Sequence, residues 1–170
     1  MQEAITAFLE RFFTPDIVVW LLSILPVSEI RGALIAARAY DMPWLYGLVV
    51  GFIGNMLPIP FILLFIRKIF DWMKKVPKLG PIVDRLLKRA DQKGQKLGKY
   101  ELWGLFILVA IPLPGTGAWT GALVAAVMNM RIKKSLPTIA LGVLAAGIIV
   151  CLILYALPDI ASKLFEVNPN

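Results

Sequence analysis

The chain has 170 residues, 59% of them hydrophobic, with 18 Lys/Arg against 11 Asp/Glu, a formal net charge of +7, one cysteine and no histidine. A soluble domain is about 45–50% apolar, so this composition points to an integral membrane protein. One cysteine without histidine excludes an intramolecular disulfide and the usual Cys/His zinc sites.

The first segment, MQEAITAFLERFFTPD, lacks the basic start and small-residue cleavage site of a signal peptide and reads as a short interfacial helix. An apolar block follows over 17–66. Residues 17–25 and 28–40 form two short arms around Pro26-Val27-Ser28, and 44–66 make one full span. Ser28 is placed to cap the second arm. Glu29 and Arg31 come next. Ionisable groups at membrane depth cost at least about 2.5–3.5 kcal/mol each, so the two are expected to pair or face a wet cavity, Glu29 as proton carrier and Arg31 as anion clamp. A buried bridge without a transport role is the structural alternative. Arg38 shares the face of Arg31 near the outer end and is expected to snorkel to the interface. In GFIGNMLPIP, Asn55 lies mid-span. Pro58 and Pro60 follow and are expected to kink the helix, leaving Asn55 to satisfy an opened backbone group or touch substrate.

Residues 67–101 carry eleven Lys/Arg against four acids, and 131–134 (RIKK) add three more basic groups. Beside membrane helices such stretches mark the cytoplasmic face rather than a nucleic-acid interface. Ile82, Val83, Leu86, Leu87 and Leu97 suggest a basic amphipathic helix on the inner leaflet.

Residues 102–130 begin and end beside these two basic segments, so both ends belong on one face. Two full spans need about 40 residues, and only 29 are present. The segment is therefore read as a re-entrant hairpin with its tip at IPLPGTG (111–117) and a half-helix from Ala118 to Asn129. Broken backbone at that depth must be buried in protein or line a cavity. Residues 136–157 span once more. Thr116 and Gly117 are placed as caps for the half-helix; Trp119 is placed to stack on a planar ligand or, equally, to pack or face lipid, with Thr120 beside it.

The two halves repeat. LPVSEIRGALIAARAYDMP (25–43) and PLPGTGAWTGALVAAVMNMR (112–131) share GALIAA and GALVAA, 89 positions apart. Each copy is a hairpin plus a span, and the charge pattern inserts them in opposite orientations. The fold expected is all-α and integral to the membrane: an inverted repeat of re-entrant hairpin plus transmembrane helix, with interfacial amphipathic helices. It forms one membrane domain, with repeat 1 over about 14–66, the basic linker over 67–101 and repeat 2 over about 102–158. Inverted repeats with discontinuous helices are typical of secondary transporters.

SEIRGALIAA (28–37) and PLPGTGAWTGALVAA (112–126) resemble the small multidrug export protein family, regarded as a branch of the DedA superfamily. The resemblance covers most of the chain. It implies a bacterial or archaeal inner-membrane transporter, often dimeric, and substrates such as queuosine precursors or, in other DedA branches, lipid phosphates. The arginine that follows Pro-Gly in the DedA second hairpin has no match here, where Gly117 and Ala118 follow Thr116.

The function expected is secondary transport of a small polar or amphiphilic solute through a midplane site of Ser28, Glu29, Arg31, Asn55, Thr116, Gly117, Trp119 and Thr120. The alternatives are a lipid or lipid-phosphate flippase and a lipid-phosphate phosphatase. The enzyme class is the weaker, because PLPGTGAWTG shares only Pro-Gly-Thr with the loops of membrane phosphatases, and no nucleophile–base pair or phosphate loop stands out. No cofactor is implied. The partners expected are the small-molecule substrate, membrane lipid and a second copy of the chain, docked through Gly47, Gly51 and Gly54 or through Gly142 and Gly147.

Overall fold

The computed structural model describes residues 13–75, 80–81, 100–113 and 116–157, and all regular structure among them is helical. The expected N-terminal interfacial helix and the amphipathic helix over 82–97 lie outside the described residues.

Helix α1 (Pro15–Ile24) starts with proline in its first turn, where the missing N–H costs nothing. Four residues later α2 (Glu29–Ala39) begins, and the two helices pack against each other. At 10 and 11 residues they are about 15 Å long at 1.5 Å per residue, half a bilayer core. Helix α3 (Trp44–Met56) gives way at Leu57-Pro58 to α4 (Ile59–Lys74). The interruption falls at the prolines, as their ring chemistry requires. Trp44–Ile66 is nonetheless one apolar stretch of spanning length. Helix α4 continues past the expected end of that span, so the first residues of the basic segment extend the same helix.

Helices α5 (Glu101–Ala110) and α6 (Ala118–Val127) also pack on each other. Helix α7 (Ile132–Cys151) holds Pro137 in its first two turns and ends in a π-helical turn, Leu152–Ala156. Ser135 and Thr138 turn their hydroxyls back onto carbonyls of the preceding turn, Arg131 at 3.2 Å and Lys134 at 2.8 Å. Ile132–Ala156 is the second stretch long and apolar enough to cross a membrane.

The chain divides into two compact units. The first holds the residues up to Asn55 and those from Leu144 onward; the second is Met56–Val143. In the first, Val18, Val19 and Leu22 of α1 meet Ala33, Ala36 and Ala37 of α2 in a buried cluster with Met42. In the second, α4 and α5 pack on α6, and Val109 and Ile139 approach Gly121.

The glycines proposed as a dimer surface are used inside the chain. A Cβ at Gly47 would lie 2.8 Å from Ala37 Cβ, at Gly142 2.7 Å from Val109 Cβ, and at Gly147 2.5 Å from Leu48 Cδ1. Gly51 faces Ile30 and Ala33, and Gly54 faces Trp20 and Ser23. Without a hydrophobic drive between helices in lipid, close packing of small residues holds the bundle, and here it joins helices of one chain. Large apolar side chains such as Leu45, Val49, Ile53, Phe61, Leu141 and Leu152 point outward instead.

Candidate functional site at the hairpin tips

The first tip is the turn Leu25–Ser28. Pro26 supplies no amide proton, and the chain closes when the Glu29 N–H donates to the Leu25 carbonyl at 2.9 Å. Gly32 N–H then donates to the Ser28 carbonyl at 2.8 Å and α2 is under way. The closure needs a left-handed residue, and that residue is Glu29, at φ +50°. A non-glycine residue there costs about 1–2 kcal/mol. The acid is also almost fully buried, at 6% exposure. Its charge acts on Arg31, which is partly exposed two residues on.

Ser28 occupies the cap position but does not cap. Capping residues adopt extended dihedrals, which fold the side-chain oxygen over the free N–H groups. Ser28 is helical instead, at φ −93° and ψ −49°, and makes no cap hydrogen bond. Its hydroxyl is buried without a partner among the described residues. The expectation of a simple capping serine is therefore corrected.

Asn55 belongs to the same unit. The register of α3 on the hairpin runs from Gly47 against Ala37, through Gly51 against Ile30 and Ala33, to Gly54 against Ser23 and Trp20 near the tip. Asn55, one residue further, is completely buried, and neither its Oδ1 nor its Nδ2 finds a partner among the described residues. It does not repair the backbone opened by Pro58. A buried amide with no partner costs about 1–3 kcal/mol.

The second tip carries Thr116, Gly117, Trp119 and Thr120 in the other unit. Thr116 points its hydroxyl at the Ile111 and Leu113 carbonyls, 2.9 Å from each. It holds the proline-rich turn rather than capping α6. Gly117 is the N-cap residue, at φ 150° and ψ −163°, a conformation essentially confined to glycine. Gly117→Ala is expected to cost about 1–3 kcal/mol, read as a lower thermal midpoint in detergent. Trp119 and Thr120 are half-buried in the first turn of α6. Ser28, Glu29, Arg31 and Asn55 thus share one unit, and the four residues of the second tip share the other.

Outside these sets, Arg38 lies with its guanidinium over the Tyr155 ring, 5.1 Å from the centroid, and its Nη1 is 3.3 Å from Asp41 Oδ1. The sequence signalled Arg38 as an interfacial cation but not its aromatic partner, which is hidden in an apolar run.

A family model described as "Putative small multi-drug export protein" matches residues 29–149, from the strained glutamate to the last helix. The chain belongs to this family. No curated protein and no solved structure matches it. Membership of an export-protein family and two apolar helices of spanning length together mark a membrane protein. The family's match begins just after the turn of the first tip and includes the second tip and every candidate residue except Ser28.

Proposed function

We propose that the chain is a secondary transporter of the inner membrane of a bacterium or archaeon that exports a small polar or amphiphilic solute. The two hairpins are read as re-entrant, inserted from opposite faces as an inverted repeat on the DedA pattern, and residues 67–101 as cytoplasmic by their charge. One observation supports this most: the Asn55 amide and the Ser28 hydroxyl are buried and unpartnered among the described residues of one unit, and Ser28 adjoins Glu29, which is held in a strained conformation. An apolar membrane helix keeps unsatisfied polar groups at a cost, and strain in a hairpin tip is a mark of a working site. A transported solute offers the hydrogen bonds that the chain itself does not.

Glu29 is the proton carrier in this reading, because it is the buried acid of the first tip and the corresponding position of the second is Ala118. In proteoliposomes screened with a panel of polar solutes, amphiphiles and phospholipids under an imposed pH gradient, the wild type should move one class faster than empty vesicles. Glu29→Gln should remove the dependence on the gradient and leave the protein folded. Gradient-dependent transport at the wild-type rate in Glu29→Gln would assign the carboxylate a structural role.

A further inference from the structure

The end of α7 and the start of α3 enclose a cavity of about 550 Å³, lined by Trp44, Leu45, Leu48, Ile148, Cys151, Leu152, Tyr155 and Ala156. It lies within the first unit. The two walls run antiparallel. Gly147 sits against Leu48, the Cys151 thiol is 3.9 Å from the Trp44 carbonyl, and the Tyr155 hydroxyl donates to the Met42 carbonyl at 3.1 Å. The trench therefore has a direction. Its Trp44–Tyr155 end is where the first spanning stretch begins, and its Leu48–Ile148 end lies deeper.

The deep end is wholly aliphatic. The shallow end is aromatic and charged: Trp44, Tyr155, and Arg38 stacked on the Tyr155 ring. Trp and Tyr mark the membrane–water interface. Arg38 has one ionic partner among the described residues, Asp41, whose side chain is 91% exposed. An exposed pair of this kind contributes about 0–1 kcal/mol, so a phosphate group, which guanidinium binds through two parallel hydrogen bonds, readily displaces it.

We infer that this trench is a binding site for one anionic phospholipid, with one of its acyl chains between α3 and α7 and its phosphate on Arg38. The walls belong to the two spanning stretches, whose outward side chains are apolar, so a lipid of the surrounding leaflet enters sideways without leaving the membrane. The volume falls within the range of small-ligand sites, about 300–1,000 Å³. A fully polar solute would leave the aliphatic end unmatched, and a cationic amphiphile would meet Arg38.

The test is native mass spectrometry of the full-length protein released from vesicles of equal phosphatidylglycerol and phosphatidylcholine. Wild type should retain one phosphatidylglycerol. Arg38→Gln, an exposed change that spares the fold, should still hold a lipid but lose about fivefold of the preference, the worth of one cation near a charged surface. Ala156→Phe, which fills the mouth, should retain neither lipid; if it does not fold, Leu45→Trp takes its place. Alkylation of Cys151, the sole cysteine, reports the same site independently and should slow when phosphatidylglycerol is added to the detergent-solubilised wild type. Wild-type preference in Arg38→Gln, unchanged retention in the filled variant, or retention of a small apolar solute with no phospholipid would each overturn the assignment.

Discussion

Asn55→Leu is expected to slow transport by about 10- to 100-fold and to leave the protein as stable as before, or more stable. The two side chains share a branched skeleton of four heavy atoms, leucine being the bulkier, and Asn55 is completely buried with both polar atoms unpartnered among the described residues. Removing an unsatisfied buried amide recovers about 1–3 kcal/mol, which should raise the thermal midpoint in detergent. If the amide serves only the fold, the substitution should cost nothing in activity either. If it hydrogen-bonds a solute, the solute loses both a donor and an acceptor, and transport should fall by about 10- to 100-fold at 1.4 kcal/mol per factor of ten. Asn55→Asp is the companion variant. It keeps an acceptor but puts a charge at a completely buried position, and should destabilise. Normal transport in Asn55→Leu would move the site elsewhere.

Helix positions were well marked in the sequence because their punctuation is local. Pro15 opens α1, the Pro26 turn separates α1 from α2, Pro58 divides α3 from α4, and the IPLPGTG run separates α5 from α6. Proline and glycine act through their own backbone restrictions, which need no knowledge of neighbours. The polar candidates Ser28, Glu29 and Asn55 were also visible, since polar groups in apolar runs are few. Their condition was not. That Ser28 fails to cap follows from dihedrals set by the tip closure at Glu29. That Thr116 braces its own turn depends on where the Ile111 and Leu113 carbonyls point.

The glycine surface is the instructive case. Gly47, Gly51 and Gly54 read equally well as a seam for a second copy or for the chain's own hairpin, because small-residue spacing specifies close approach but not the partner. Likewise the stacking of Arg38 on Tyr155, a residue of the π-helical turn Leu152–Ala156, joins residues more than 100 positions apart. No periodicity in either segment announces the other.

Gly54→Ala should be among the most damaging single-methyl additions in the first unit, while Gly104→Ala should be neutral or better. At Gly54 the added Cβ runs into the Ser23 hydroxyl and lies 2.8 Å from the Trp20 carbonyl oxygen. The Ser23 hydroxyl is already committed to that carbonyl at 2.6 Å, and Ser23 is fully buried. The serine side chain can rotate away only by giving up its hydrogen bond. The carbonyl belongs to the backbone of α1 and moves only if the helix does. Overpacking of this kind costs about 1–3 kcal/mol, and a shift of α1 against α3 also disturbs the packing around the fully buried Asn55, one residue on. Gly104 has nothing within 4 Å of the same atom, so alanine there gains up to about 1 kcal/mol of helix propensity. The pair is measured by thermal midpoint in one detergent, with Gly54→Ala/Ser23→Ala as a third variant. Removing the hydroxyl should recover part of the loss and not all, because the Trp20 carbonyl remains. Full recovery would place the whole conflict on Ser23. An unchanged midpoint in Gly54→Ala would mean that α3 does not pack this closely against α1.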